Sequence, residues 1–123
     1  MKKLIAVLLF AVPSLALADY VDVLAGKLKP GCNAATLQQI VKDFNDTWGA
    51  KEYGYTAEIL WPLQSRDLGT IYWVGRVADS TAFGKGFDAW RAAQSDANSV
   101  AGKLGARLLD CVAWESRAGY ASL

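Results

Sequence analysis

The chain has 123 residues, with 13 Lys+Arg, 12 Asp+Glu and no histidine. This length suits one small domain, and the near balance of charge leaves no electrostatic footprint for nucleic acid. The absence of histidine excludes Ser-His-Asp and Cys-His catalysis, imidazole-ligated zinc and proximal-histidine haem. The carboxylates show no metal-binding spacing, so we expect neither a metal ion nor a cofactor.

The N-terminal residues predict a signal peptide. Lys2 and Lys3 precede an almost wholly apolar run, and Ala16-Leu17-Ala18 has the small-x-small pattern of a signal peptidase site. The run is shorter than the about 20 residues that a membrane-spanning helix needs, although an uncleaved anchor is the alternative. We predict a signal peptide at 1–18 and a single domain at 19–123, periplasmic or secreted, with no membrane attachment after cleavage.

The first elements of the domain are a strand and a helix. Residues 20–25 are β-rich and predict the first strand, and Lys29-Pro30-Gly31 predicts a turn between this strand and the helix. Asn33 or Thr36 is expected to cap that helix. An apolar stripe at helical spacing predicts the helix itself, and the stripe consists of Leu37, Ile40, Val41, Phe44 and Trp48.

The rest of the chain predicts a hairpin, a helical region and a last strand. Residues 53–61 and 70–77 read as strands joined by a short polar link, which favours an antiparallel hairpin. Asp79-Ser80-Thr81 predicts the start of the second helical region, which continues with a further helical stretch at 96–105. Residues 107–116 complete the pattern as the fourth strand.

The order β-α-β-β-α-β predicts an α+β, ferredoxin-like fold, in which a four-stranded antiparallel sheet carries its helices on one face. Its usual topology places the fourth strand antiparallel beside the first, so Cys32 and Cys111 come close. Two cysteines in a small exported domain usually pair. We therefore predict a Cys32–Cys111 disulfide, worth roughly 4–5 kcal/mol in the chain-entropy model; two free thiols are the alternative.

The predicted strands carry apolar residues on both faces. A helix-free face that bears Tyr72, Val74, Val112 and Trp114 would be a large exposed apolar patch. A second copy related by a two-fold axis would cover it, so we predict a homodimer. The alternatives are a modest surface patch or a cover made by the chain's own loops.

In its element order and its doubly apolar sheet, the chain resembles the dimeric α/β-barrel superfamily, which includes NIPSNAP-like and antibiotic-biosynthesis monooxygenase-like proteins. Tyr72-Trp73-Val74-Gly75 and the stretch 83–90 also resemble small exported bacterial proteins of unassigned function. The resemblance implies a dimeric barrel in which the helix-free face of each subunit lines a cavity. Some members are cofactor-independent oxygenases and some degrade haem. The latter use a histidine absent here and an asparagine where this chain has Asp22, so haem degradation is not expected.

Regular alternation would place several polar and aromatic side chains on that helix-free face, namely Tyr20, Asp22, Glu58, Tyr72, Arg76, Asp110 and Trp114. The candidate ligand-binding residues are Asp22, Glu58, Tyr72, Arg76, Trp61 and Trp114. A buried Asp22 or Glu58 carboxylate would suit proton transfer. The alternative for Glu58 and Arg76 is a cross-strand ion pair.

These observations together predict an exported protein that binds a small apolar or aromatic molecule in a sheet-face pocket. One alternative is a cofactor-independent oxygenase or isomerase that uses the same pocket. The other is a protein-interaction module whose exposed sheet binds a different protein.

Overall fold

The computed structural model describes residues 19–122, and the predicted signal peptide at 1–18 lies outside the described residues. The strands and helices of this part of the chain are β1 (Asp19–Leu28), α1 (Ala34–Thr47), β2 (Thr56–Leu60), β3 (Ile71–Val77), α2 (Ser80–Gln94), α3 (Val100–Cys111) and β4 (Val112–Ser122). A single wide helical turn, Gly49–Tyr53, follows α1. This turn replaces the start of the strand predicted at 53–61, and it ends at Gly54 with a φ of 64°, where glycine is favoured.

Each helix begins at a polar residue whose side chain caps it. The side chains of Asn33, Asp79 and Ser99 accept hydrogen bonds from first-turn backbone N–H groups at 2.9, 2.7 and 2.9 Å. Such bonds satisfy donors that have no partner within the helix. Asn33 rather than Thr36 therefore caps α1, and the predicted helix start at Asp79 is confirmed.

The four strands form one sheet in the order β2-β3-β1-β4, and all three neighbouring pairs are antiparallel. The predicted ferredoxin-like α+β fold is confirmed, with α3 as an additional helix before β4. Because β4 lies beside β1, Cys32 and Cys111 come within 5.1 Å between Cα atoms and form the predicted disulfide. No other cysteine is present.

The hydrophobic core lies between one face of the sheet and the helices. The buried members of this core include Leu37, Ile40 and Phe44 from α1, Ile71 and Trp73 from β3, and Leu104, Leu108 and Cys111 from α3. The Asn45 side chain joins α1 to the edge strand β2, since it both donates to the Ala57 carbonyl and accepts from the Ala57 N–H at 2.9 Å. These two bonds satisfy backbone groups that an edge strand leaves unpaired.

The last strand differs from the prediction at 107–116. Leu104, Leu108 and Cys111 are all buried and follow helical spacing, so α3 continues to Cys111 and β4 begins only at Val112. β4 then pairs with β1 along its whole length, as far as Ser122. A shift in register at Ala25/Gly26 marks a bulge.

The helix-free face of the sheet is partly as predicted. Tyr72 and Val74 lie on it, but Val112 and Trp114 lie on the helix side, because they pair with Leu28 and Gly26 on the face of β1 that is directed towards the helices. Leu60 and Tyr72 are 47% and 37% exposed there. The remaining members of this face, by strand alternation, include Val21, Val23, Ala25, Glu58, Arg76, Ala118 and Tyr120.

Candidate functional site

A cavity of about 300 Å³ lies between the sheet and the helices. Helix α2 contributes Phe83, Phe87 and Trp90 to its wall, and the sheet contributes Trp73 and Trp114. This volume is at the lower end of the range for small-ligand sites, which are concave and mostly apolar with a few polar groups.

The cavity exists because α2 is held away from the sheet by large rings. Phe83 stacks on Tyr20 with ring centroids 4.4 Å apart, and Trp90 meets Phe44 edge to face at 5.5 Å. None of the α2 residues is fully buried, whereas α1 and α3 both insert several fully buried side chains into the core. Aromatic rings rather than fully buried aliphatic side chains therefore lie between α2 and the sheet, and these rings line the cavity.

One end of the cavity is polar. Its polar lining residues Tyr55 and Arg117 are both hydrogen-bonded to Asp22. The Asp22 carboxylate is 1% exposed and accepts two hydrogen bonds from Arg117, from Nε at 2.8 Å and from Nη2 at 2.7 Å. The Tyr55 hydroxyl donates to the same carboxylate at 2.7 Å and accepts from the Trp73 indole at 2.8 Å. Both carboxylate oxygens are thus satisfied, as a buried charge requires.

Two glycines make room for this network. Asp22 pairs across the sheet with Gly75 of β3 on one side and with Gly119 of β4 on the other. A Cβ on Gly75 would collide with the Tyr55 hydroxyl, and one on Gly119 would collide with the Tyr20 hydroxyl. The tyrosine rings therefore lie directly on the backbone beside Asp22, in space that any other residue would fill.

The network perturbs the protonation of its members. Burial and the neighbouring Asp22 carboxylate raise the pKa of Tyr55 well above its ordinary value of 10.0. Burial lowers the pKa of Arg117, but its hydrogen bonds to Asp22 and the charge of that carboxylate outweigh burial and raise it. The Arg117 guanidinium also lies 4.6 Å from the centroid of the Phe87 ring, within cation–π range. Arg117 thus links the buried carboxylate to the aromatic wall.

Tyr55 is expected to keep its proton in the folded protein at a pH where the unfolded chain releases it. The associated stabilisation is therefore complete below pH 10 and is lost as the pH rises further. In an absorbance titration of tyrosinate, one of the five tyrosines should ionise only when the protein unfolds. The Tyr55→Phe variant should lack this late step, and an unchanged titration in that variant would contradict the assignment.

The structure separates the residues that were predicted to share the helix-free face. Glu58, Tyr72 and Arg76 do lie on it, and Arg76 Nε is 3.9 Å from Glu58 Oε1, as in the cross-strand ion-pair interpretation. The prediction is wrong for Tyr20, Asp22 and Trp114, which face the helices, and for Asp110, which is exposed on α3.

The error for Asp22 and Tyr20 is one of strand phase. In β1 the odd-numbered residues, from Val21 to Ala25, occupy the helix-free face, so the even-numbered ones face the helices. Trp61 follows β2 and packs against the margin of the core. It does not line the cavity, whereas Trp114 does.

Sequence reasoning missed Tyr55 and Arg117 as site residues. Arg117 lies beyond the predicted end of the last strand, in a polar stretch that is typical of an irregular C-terminal segment. The length of β1 explains the extension of β4, because β1 runs to Leu28 and pairs with β4 as far as Ser122, but the strand predicted at 20–25 gave no sign of this.

Within residues 19–122 no helix is long and apolar enough to cross a membrane. The same residues contain no group of three or more histidine, cysteine or acidic side chains placed to hold a metal ion.

No family model and no curated protein matches the chain. Among solved structures, it is similar to a dimeric protein of unknown function with a ferredoxin-like fold from Bacteroides fragilis. The match covers 84% of this chain and 95% of that one, with a TM-score of 0.45 and 12% sequence identity. Neither function nor assembly is transferred to this chain at that level of similarity.

Proposed function

We propose that the protein binds a small, largely aromatic molecule in the cavity beneath α2. The observation that carries this proposal is the cavity itself, whose walls are aromatic rings from the sheet and helices and whose polar end is already hydrogen-bonded. Small-ligand sites have this composition. The proposal retains the predicted class of ligand but moves the pocket from the helix-free face to the helix side of the sheet.

The geometry favours binding over the alternative of a cofactor-independent oxygenase or isomerase. A general base must be within hydrogen-bond reach of the proton that it removes. Among residues 19–122 no carboxylate lines the cavity, and Asp22, which contacts the lining residues Arg117 and Tyr55, has both its oxygens held by them. A carboxylate in this state orients its neighbours rather than accepting a proton from a substrate.

Filling the cavity is expected to abolish ligand binding. Ala82 lines the cavity near the start of α2, whereas Ala92 is exposed on the same helix and does not line it. With the neutral fluorescent probe N-phenylnaphthylamine, Ala82→Trp should weaken binding by at least about tenfold, or about 1.4 kcal/mol. Ala92→Trp should bind as the wild type does, provided that circular dichroism shows both variants folded. Equal affinity in the two variants, or no binding by the wild type, would rule out this cavity as the site.

We also propose that the helix-free face joins two copies of the chain. The face combines exposed Leu60 and Tyr72 with both an acidic and a basic side chain, Glu58 and Arg76. A two-fold rotation that places this face against a second copy can bring Arg76 of one copy towards Glu58 of the other, so that the two side chains, which lie 3.9 Å apart within one copy, also pair between copies. The proposed assembly is the homodimer predicted from the sequence. It differs from the dimeric barrel that the superfamily resemblance implied, because the helix-free face does not line a cavity here.

A charge introduced at Tyr72 on that face should separate the copies. Sedimentation equilibrium is expected to show a dimer for the wild type and a monomer for Tyr72→Arg, because the new cation would be buried in the contact between the copies without a partner. Leu63→Arg is the control, since Leu63 is 90% exposed in the loop after β2. A monomeric wild type would contradict the dimer and favour the alternative of a module that binds a different protein.

We propose in addition that the protein acts outside the cytoplasm. The disulfide supports this location, because such bonds persist in oxidising compartments. The mass of the chain recovered from the periplasm or medium should correspond to a first residue of Asp19, and a full-length mass would refute cleavage after Ala18.

A further inference from the structure

The charge of the cavity wall is already balanced. Among the described residues that line the cavity, Arg117 is the one with a formal charge, and Asp22 accepts hydrogen bonds from its Nε and Nη2 at 2.8 and 2.7 Å. An ionised ligand would lose its bound water on entering the cavity. No unpaired charge of opposite sign on the cavity wall would compensate for that loss. Because burying an unpaired charge is strongly unfavourable, the cavity selects against ions of either sign.

Most of the unused hydrogen-bonding groups around the cavity are donors, beside Tyr53 and Gln94, whose hydroxyl and amide groups can both donate and accept. Four tryptophans line it, and within residues 19–122 the Trp73 indole donates to Tyr55 while Trp48, Trp90 and Trp114 donate to no protein group. No buried side-chain nitrogen or oxygen of the described chain lacks a partner. These three indole N–H groups are therefore open to the cavity or to solvent.

Arg117 adds a further donor of the same kind. Its bonds to Asp22 use Nε and Nη2, so the Nη1 group remains free of protein partners within the described chain. Indole and guanidinium groups donate hydrogen bonds and do not accept them. A ligand that displaces water from these groups must offer acceptors, because a donor left unpaired on desolvation costs free energy.

We infer that the ligand is an uncharged, flat aromatic molecule whose polar groups are hydrogen-bond acceptors, such as carbonyl or ether oxygens. This inference rests on the proposed function, since it specifies the ligand class for the same cavity. The aromatic rings of α2 and the sheet contact the faces and edges of the ligand, while at least one of the indole N–H groups donates to its oxygens and Arg117 supplies a second donor.

Three probes of nearly equal size separate the relevant properties. Acetylnaphthalene is neutral and carries an acceptor, ethylnaphthalene is neutral without one, and naphthoate is an anion. Isothermal titration calorimetry at neutral pH is expected to show acetylnaphthalene binding about three- to tenfold more tightly than ethylnaphthalene, the effect of one added hydrogen bond. Naphthoate should bind more weakly than acetylnaphthalene.

Single Trp48→Phe, Trp90→Phe and Trp114→Phe variants test the donors directly, because each keeps an aromatic ring and removes one N–H. At least one variant should lower the affinity for acetylnaphthalene to that for ethylnaphthalene and leave the latter unchanged. Three outcomes would overturn the inference and leave the proposed binding function intact. Naphthoate could bind most tightly of the three probes, acetylnaphthalene could bind no better than ethylnaphthalene, or the preference for acetylnaphthalene could be the same in all three variants. Failure of all three probes to bind the wild type would overturn the proposed function itself.

Discussion

Arg117→Met is expected to destabilise the fold by about 3–5 kcal/mol, the usual cost of leaving a buried charge without its partner. The burial of the two partners is unequal, because the Arg117 side chain is 39% exposed and that of Asp22 is 1% exposed. Removal of the cation therefore leaves a carboxylate with almost no access to water. Urea unfolding followed by near-ultraviolet circular dichroism measures the loss.

The double variant Asp22→Asn/Arg117→Met distinguishes buried charge from lost packing. An asparagine has the shape of Asp22 and still offers an oxygen to the Tyr55 hydroxyl, so much of the stability should return. Arg107→Met is the matched control, because Arg107 pairs with Asp43 at 2.8 Å on the surface and should matter far less. If the single and double Arg117 variants were equally unstable, the cost would lie in the packing of the Arg117 stem.

Loss of the disulfide is expected to cost about 4–5 kcal/mol, which is a large part of the stability of a small domain. Cys32 and Cys111 are 79 positions apart, so their bond restricts most of the unfolded chain. The Cys32→Ser/Cys111→Ser variant should unfold at a much lower urea concentration than the oxidised wild type.

A reducing agent provides the control for this comparison. It should bring the wild type to the stability of the double serine variant and should leave that variant unchanged. A wild type that resists urea equally with and without a reducing agent would mean that the bond contributes little. The same result would remove one support for a location outside the cytoplasm.

The fold was predictable because its main signals are local. The apolar stripe from Leu37 to Trp48, the caps at Asn33 and Asp79, and the turn after β1 each specify one element. The order of the elements then leaves few topologies. The position of β4 was not predictable in this way, since residues 107–111 are as compatible with a strand as with the end of a helix. Burial of Leu108 and Cys111 against α1 and the sheet decides for the helix.

The candidate site was harder to predict because it depends on strand phase. A shift of one residue along β1 moves Asp22 from the helix side to the helix-free face. The odd-numbered and even-numbered side chains of β1 are both largely apolar, so the hydrophobic pattern does not choose between the two arrangements. The sequence predicted an aromatic pocket that includes Trp114 on the helix-free face, whereas Trp114 lines the cavity on the opposite face. The sequence did not predict the location of the cavity, because the packing of the α2 rings against the sheet cannot be read from the periodicity of apolar residues.

The manner in which α2 covers the cavity has a kinetic consequence. A helix without a fully buried residue can detach at a lower free-energy cost than global unfolding requires. The disulfide, by contrast, joins the end of α3 to the segment after β1 and does not restrain α2. Under the proposed binding function, ligand exchange requires only a partial opening around Phe83 and Trp90, so the residence time of a ligand and the lifetime of the fold are expected to change independently of each other.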